Sequence, residues 1–285
     1  MKADLHFHPS VFAKGDKPHL SERKIPTLFN IEDMMVEKDI DILTITSCSS
    51  KDNIDPRWEN HRYDKEIHPI YQPKDLSEFY VIRFSQNHRD KKSGKMESLK
   101  LILHGQEFKT SRGDINVIGA LERIPVEKSE GNLFWLLDAA RDRGNEVIVT
   151  IPHPGRGLQL TSNELVELYE QGKIDALESY DSLDTIRGNK RSLQISLSTQ
   201  LPGISVSDGH RLTDLGRSYI DVDLSFDYHF SNPNESFIQQ YISFIKGFKE
   251  KIRSGNFESI RNPSPFSSRV LYMTKMVNAK LCPSL

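Results

Sequence analysis

Two pairs of residues with metal-ligand side chains are each separated by a single residue. His6 and His8 lie in an apolar segment near the start of the sequence, and Asp208 and His210 follow another apolar segment much later. Because alternate side chains of a β-strand face the same side, both members of a pair can point at one ion. Imidazole nitrogens and carboxylate oxygens are ligands of zinc, manganese and iron. The spacing therefore predicts a site for a divalent metal ion.

Two further residues of this kind stand at the ends of other apolar segments. Glu107 lies at the end of segment 99–108, and His153 directly follows segment 147–152. In a barrel of parallel strands the carboxyl ends of the strands converge on one face, where active sites are built. We therefore expect six residues to line one metal site. They are His6, His8, Glu107, His153, Asp208 and His210.

The elements that must position these residues alternate between short apolar segments and amphipathic helices, a pattern typical of a parallel sheet or barrel. Predicted strands cover residues 3–8, 41–46, 99–108, 147–152, 176–180 and 203–207, with weaker candidates at 79–84 and 270–273. Thr161 and Glu164 have capping-box spacing, and Gly172 should end that helix. Asn30 and Ser129 are predicted to cap two other helices. The longest helical period comprises Ile238, Tyr241, Ile242, Ile245, Phe248 and Ile252.

The composition favours one large domain over residues 1–285, because the 285 residues are 36% hydrophobic and 27% charged. Within it, the polar segment 49–98 is predicted to be an insertion over the barrel rim, and 255–285 a C-terminal extension. The net charge of −2 gives no reason to expect a membrane or an obligatory nucleic-acid partner. Two cysteines, no signal-like segment and no long apolar run lead us to expect a cytoplasmic protein.

Four motifs together resemble the polymerase and histidinol phosphatase (PHP) family of metal-dependent phosphoesterases, over residues 3–224. The motifs are Asp4-Leu-His-Phe-His8, Gly105-Gln-Glu107, His153-Pro-Gly-Arg156 and Ser207-Asp-Gly-His210. The resemblance implies a distorted seven-stranded (β/α) TIM-like barrel with up to three metal ions at its mouth. It further implies the ligands. One ion would be held by His6, His8, Glu107 and Asp208, a second near Glu107 and His153, and a third near His210.

The sequence departs from the family pattern after the second predicted strand. The family has Thr-Asp-His there, whereas this chain has Thr46-Ser47-Cys48. Cys48 is either a replacement zinc ligand or a buried structural thiol. The family also has a histidine between the glutamate and the His-Pro motif, and none occurs between Glu107 and His153. We therefore expect one or two divalent ions, zinc, manganese or iron, rather than three.

The chemistry predicted for this site is hydrolysis of a phosphate ester by a metal-activated water. Glu107, His153 and His210 are the candidate catalytic residues. Arg156 is the candidate substrate-binding residue, because its forked donors suit a phosphate, although a rim salt bridge would explain it equally well. The substrate class stays open between a small phosphorylated molecule and a nucleotide or oligonucleotide end. Two alternatives are a metal-dependent hydrolase of a different bond and a degenerate metal-binding regulatory or interaction protein without catalysis.

Overall fold

A computed structural model gives the chain a mixed sheet surrounded by helices. It describes residues 1–8, 28–49, 83–85, 100–120, 124–125, 129, 131–142, 147–224, 237–265 and 269. The strands are β1 Lys2–Phe7, β2 Ile42–Ser49, β3 Arg83–Ser85, β4 Lys100–Thr110, β5 Gly113–Ile118, β6 Ile148–Ile151, β7 Ala176–Asp181, β8 Gly203–Val206, β9 Tyr219–Val222 and β10 Phe257–Ile260. The helices are α1 Leu28–Glu37, α2 Leu133–Arg141, α3 Ser162–Glu170, α4 Ile186–Thr199 and α5 Phe237–Arg253.

The sheet is nearly closed into a barrel. Its strand order is β10-β9-β1-β2-β4-β5-β6-β7-β8, and β3 pairs with β4 beside this path. Strand β8 ends this path, and the residues that follow it return to β1 through a bridge between Gly209 and Phe7. The Ser207 amide donates to Asp4 Oδ1 at 3.0 Å, and the His8 amide donates to the Gly209 carbonyl oxygen at 2.8 Å. These hydrogen bonds join β1 to the segment after β8 at the mouth of the barrel, next to His8 and Asp208.

The predicted α/β barrel-like architecture is confirmed, but the number of seven strands is wrong. The sheet has 10 strands in the described part of the chain. Strands β1, β2 and β4 are parallel, as are β6, β7 and β8, whereas β5 is antiparallel to both of its neighbours. The hairpin from β4 to β5 turns at Gly113, whose φ of 131° is costly for any residue with a side chain. Strands β9 and β10 add an antiparallel edge that the sequence did not reveal.

The interior of the barrel changes from apolar to polar along its strands. Helix α5 lies across the apolar end, and the Tyr241 hydroxyl donates to the Gly119 carbonyl oxygen at 2.6 Å. The predicted apolar face of this helix is confirmed by the burial of Ile245, Phe248 and Ile252. Each such side chain stabilises the fold by about 1.5–3 kcal/mol when fully buried. Other side chains of the strands are buried but polar. They include Thr44, Glu107, Asn116, Thr150 and Glu178.

The helix signals had mixed outcomes. The capping box of α3 is confirmed, with Thr161 and Glu164 each bonded to the other's backbone amide, and Gly172 takes the left-handed φ of 70° expected at a helix end. Ser129 is not the cap of α2, because the Asn132 side chain accepts from the Trp135 amide at 3.2 Å. Helix α1 already begins at Leu28, so the predicted cap at Asn30 is also wrong. Helix α4 was not predicted.

The predicted insertion and extension are described only in part. Of segment 49–98, the structure describes position 49 and strand β3, which pairs antiparallel with β4. The extension 255–285 contributes β10, whereas the strand predicted at 270–273 lies outside the described residues. Among the helices of the described residues, none combines the length and apolar character needed to cross a bilayer.

Candidate metal centre

The imidazoles of His6 and His8 meet at the barrel mouth with their Nε2 atoms 2.8 Å apart. His6 Nδ1 donates to Glu178 Oε1 at 2.9 Å, and His8 Nδ1 donates to the Thr46 carbonyl oxygen at 2.9 Å. Because the acceptors place a proton on each Nδ1, neutral rings carry lone pairs on both Nε2 atoms. Two lone pairs at this distance require a cation between them, either a proton or a metal ion. Metal-ligating histidines commonly have this arrangement, with the second ring nitrogen bonded to a carboxylate or carbonyl.

Two carboxylates approach the histidine pair. Asp208 Oδ1 lies 3.8 Å from His6 Nε2 and 3.5 Å from His8 Nε2. Glu107 lies 4.0 Å from His6 Nε2 through Oε1 and 3.6 Å from His8 Nε2 through Oε2. One ligand atom each from His6, His8 and Asp208 fit within 4.8 Å of one another. This spread suits ligands around one ion with bonds of about 2.0–2.3 Å.

A second group of potential ligands shares Glu107. Ligand atoms of Glu107, Asp114 and His153 also lie within 4.8 Å of one another, and His153 Nε2 is 3.1 Å from Glu107 Oε1. Asp114 was not predicted. It pairs in register with Lys109 of β4, which places it on the same face of the hairpin as Glu107. Burial, with repulsion from Glu107, raises the pKa of Asp114 to about 6. These three residues could hold a second ion beside the first.

Glu178 links the two groups, and sequence analysis also missed it. Its Oε1 accepts from His6 Nδ1, while its Oε2 accepts from the His153 amide at 3.3 Å. The side chain is fully buried on β7. Glu178 pairs with Ile204 of β8 and Tyr180 pairs with the next residue, Ser205, so Ser179 is an extra residue in β7 and forms a bulge. Such a bulge redirects the side chains that follow it. Glu178 therefore fixes both a histidine ring and the backbone of the facing loop.

The backbone is strained at two of the predicted ligands. His153 has φ of 30° and Asp208 has φ of 45°, both in the left-handed region that residues with a side chain rarely adopt. Non-glycine residues in this region cost about 1–3 kcal/mol and cluster at functional sites. His153 also precedes Pro154 and a single turn of 3-10 helix, Pro154–Arg156. The surrounding hydrogen bonds thus hold both side chains toward the barrel mouth at the expense of local stability.

Charge distribution in the site favours a cation between the histidines. Burial opposes the charged form of His6, but Glu178, Asp208 and Glu107 together raise its pKa well above the usual value. Burial and then the charge on His6 lower the pKa of His8 to about 3. Burial likewise opposes ionisation of Asp208, yet His6, Arg156 and His210 lower its pKa. The lowered pKa favours the ionised form of Asp208, and the raised pKa of His6 favours one positive charge on the histidine pair, which a metal ion would replace.

Arg156 lies at the edge of this cluster and contacts three carboxylates. Its guanidinium is bonded to Asp181, lies 3.1 Å from Asp184 Oδ1 through Nε, and 3.2 Å from Asp208 Oδ2 through Nη1. The predicted contact with a phosphate stays a prediction. His210 lies beside His8 with ring centroids 5.0 Å apart, and its Nδ1 bonds the Asp208 carbonyl oxygen at 2.8 Å.

The structure thus brings all six predicted ligand-type residues to one end of the barrel, although their roles as ligands stay predictions. Cys48 pairs in backbone register with Glu107 in the neighbouring strand. The side chains of Ser47 and Cys48 lie outside the described residues, so the choice between ligand and structural thiol stays open.

Comparison with known proteins gives similarities of structure only. No family model matches the chain, and no curated protein matches it. PsfC from Pseudomonas syringae PB-5123 is 15% identical, with a TM-score of 0.54 and coverage of 98% of both chains. At this identity the similarity shows a shared fold.

Two further solved structures are more distant. A two-domain protein from Bacteroides vulgatus ATCC 8482, which contains a predicted PHP-like metal-dependent phosphoesterase, is 15% identical. Its TM-score is 0.49, with coverage of 92% of this chain and 64% of that one. A candidate metal-dependent phosphoesterase from Bifidobacterium adolescentis ATCC 15703 is 12% identical. Its TM-score is 0.36, with coverage of 73% of this chain and 87% of that one. Neither similarity is close enough to support a conclusion.

Proposed function

We propose that this chain is a metal-dependent phosphoesterase of the PHP type, with one or two divalent ions at the barrel mouth. The observation that carries the proposal is the buried His6–His8 pair, whose Nδ1 atoms donate to Glu178 and to a backbone carbonyl while the Nε2 atoms converge at 2.8 Å. Zinc, manganese or iron fits this set of nitrogen and carboxylate donors. Asp208 and Glu107 would complete the first position, and Glu107 would extend toward a second.

The residues around this position have distinct roles in the proposed hydrolysis. A bound divalent ion would supply an activated water and stabilise negative charge on the phosphoryl group. Glu107 would hold the two ligand groups together, since it lies beside both His8 and His153. His153 or His210 would protonate the leaving oxygen when not committed to an ion. The proposed substrate is a phosphorylated molecule such as a nucleotide or a small phosphate ester, which the bound ion would attract. Arg156 would contact its phosphate only after leaving one of its three carboxylate partners.

The test compares metal content and hydrolysis in the wild type and two carboxylate variants. Glu107→Gln keeps the size of the side chain but removes its charge, so it should lower metal retention and hydrolysis of generic phosphomonoesters and phosphodiesters together. Asp41→Asn is the matched control, because this half-buried carboxylate bonds Lys2 and Lys100 at the opposite end of the barrel. It should retain both properties. Full metal content and full activity in Glu107→Gln would place the hydrolytic site elsewhere.

A metal-binding protein without catalysis is the second candidate. It is favoured by Arg156, whose guanidinium is engaged by carboxylates rather than open to a substrate. The same assays separate the candidates. A wild-type protein that holds metal but hydrolyses no phosphate ester, lactone or amide in a broad screen would support the non-catalytic candidate. Hydrolysis of a lactone or amide alone would instead support a metal-dependent hydrolase of a different bond.

A further inference from the structure

Three buried carboxylates surround one guanidinium beside the histidine pair. Asp181 is the last residue of β7, Asp184 lies just before α4, and Asp208 follows β8. Each is at most 6% exposed. Arg156 reaches all three from the facing loop. Burial of several carboxylates together is costly unless cations compensate their charge. The histidine pair also compensates the charge of Asp208, whereas Asp181 and Asp184 depend more on Arg156, which contacts both.

The three carboxylates have more capacity to bind a cation than Arg156 uses. Asp184 Oδ2 is buried and has no hydrogen-bond partner among the described residues. Burial, only partly offset by Arg156, raises the pKa of Asp181 well above its usual value, and repulsion from Asp208 and Asp184 adds to the rise. Carboxylate oxygens are the ligands preferred by hard divalent cations such as manganese and magnesium. The three carboxylates therefore have the chemistry of a cation-binding site, and the guanidinium of Arg156 occupies that site.

The backbone holds this set in place independently of Arg156. The bulge at Ser179 puts Asp181 on the same side of β7 as Glu178, although regular residues three apart would face opposite sides. Asp181 Oδ1 also accepts from the Leu183 amide at 2.7 Å, and the Asp184 carboxylate accepts from the Thr185 amide at 2.6 Å. The two acids are thus fixed by their own turn and would stay in position without the arginine.

Asp208 connects the cluster to the candidate metal centre. Its Oδ2 faces Arg156 at 3.2 Å, while its Oδ1 faces His8 Nε2 at 3.5 Å. One carboxylate therefore lies between a guanidinium and the position of the first ion, in the way that a bridging carboxylate lies between two metal ions. The charge on Arg156 substitutes for a second cation on that side and keeps the opposite oxygen directed at the histidines.

We propose that the guanidinium of Arg156 is a resident cation of this centre, which fills a divalent-cation site formed by Asp181, Asp184 and Asp208. The role of Asp208 as a shared ligand rests on the proposed function, whereas the cation site itself does not. Removal of the guanidinium leaves three fixed carboxylates and the space of a long side chain. A hydrated divalent ion can occupy that space, so loss of Arg156 should increase the metal content of the protein.

The test is a count of ions bound per chain, with Mn²⁺ as the probe. Wild type and Arg156→Ala are dialysed to equilibrium against Mn²⁺ and measured by elemental analysis and titration calorimetry. Arg156→Ala should bind one ion more than wild type, and Arg156→Lys, which keeps the charge, should match wild type. Adding Asp184→Asn to Arg156→Ala should abolish the gain. Arg112→Ala is the control arginine, because its partner Glu164 is a single partly exposed carboxylate, and it should gain no ion.

Each outcome supports or overturns the inference. A folded Arg156→Ala protein with the wild-type ion count or fewer contradicts it, and a raised KM with an unchanged count would identify Arg156 as a substrate-binding residue instead. If Arg156→Ala is unfolded in chelator, millimolar Mn²⁺ should restore its circular dichroism, and failure to refold also contradicts the inference. A wild type without hydrolytic activity would refute the proposed function but leave the ion count of Arg156→Ala as a valid test.

Discussion

Replacement of Glu178 by glutamine would change one atom of a buried side chain that serves both ligand groups. Glu178 accepts from His6 Nδ1 at 2.9 Å and from the His153 amide at 3.3 Å. Glutamine has one acceptor oxygen, so its amide group must face one of these two donors. If the amide group faces the ring, His6 must move its proton to Nε2, which removes the lone pair that would bind the ion. If it faces the loop, two N–H groups oppose each other and the His153 backbone must shift.

The expected magnitude follows from the loss of one partner of a ligating histidine. Such losses typically weaken metal affinity about 10- to 100-fold, which corresponds to about 1.4–2.8 kcal/mol. A buried donor left without a partner costs a further ~1–3 kcal/mol of folding stability. We therefore expect Glu178→Gln to bind metal at least tenfold more weakly and to unfold at a lower denaturant concentration.

The assay is competition for Zn²⁺ or Mn²⁺ between each protein and a chromophoric chelator, together with denaturant unfolding in the presence of excess chelator. Asp41→Asn is the matched control, since Asp41 also bonds one backbone amide and one side-chain donor but lies far from the histidines in the barrel. It should lose stability and keep its metal affinity. An unchanged metal affinity in a folded Glu178→Gln protein would refute the positioning role of Glu178.

Three further predictions concern other parts of the chain. Asp114→Asn should weaken the binding of a second ion more than that of the first, as measured by the stepwise titration of metal. Gly155→Ala should cost about 1–3 kcal/mol of stability, because its Cβ would overlap the Gly188 carbonyl oxygen. Gly247→Ala, whose Cβ meets nothing nearer than 4.0 Å, should instead stabilise helix α5 by ~0.5–1 kcal/mol. Equal changes in the free energy of unfolding for the two glycine variants, measured by urea titration, would contradict this difference. Hydrogen bonds from its helix cap and an arginine lower the pKa of Glu164 to about 2. Its contribution to stability should therefore be complete above the unfolded pKa of 4.5 and be lost as the pH falls toward 2, and Glu164→Gln should remove this pH dependence.

The candidate ligands could be identified from the sequence because a strand fixes which side chains share a face. His6 and His8 need only a period of two to point together, and the ends of parallel strands bring Glu107, His153 and Asp208 to the same mouth. The described strands place all five there. Their convergence did not depend on the number of strands, which explains why the site was found although the barrel was predicted with the wrong number.

Asp114 and Glu178 could not be identified in the same way. Asp114 lies on β5, which was not predicted, so its register with β4 was unknown. The alternation of Ile115 and Val117 after Gly113 was the signal that could have revealed a hairpin. Glu178 was inside a predicted strand, but the bulge beside it depends on the pairing of β7 with β8. Tertiary pairing of this kind has no local signature in the chain.

The wrong prediction of where α2 begins has a similar cause. Ser129 is a suitable cap by residue type, but Asn132, three residues later, provides the acceptor for α2. Several cap-type residues close together leave the exact start undecided, because the choice depends on which turn packs against the sheet. By contrast, the Thr161 capping box has two mutually bonded partners, so local sequence alone was sufficient for α3.

The proposed function requires that His6 and His8 share a metal ion through their Nε2 atoms. Crystals grown with Mn²⁺ and measured at a wavelength where manganese scatters anomalously would show whether an ion lies there. We expect an anomalous peak about 2.0–2.3 Å from both Nε2 atoms, with Asp208 also in contact and Glu178 retained on His6 Nδ1. A protein that shows no anomalous peak between these histidines at saturating Mn²⁺, or shows its ions only at other positions, would refute the metal-binding role of the histidine pair.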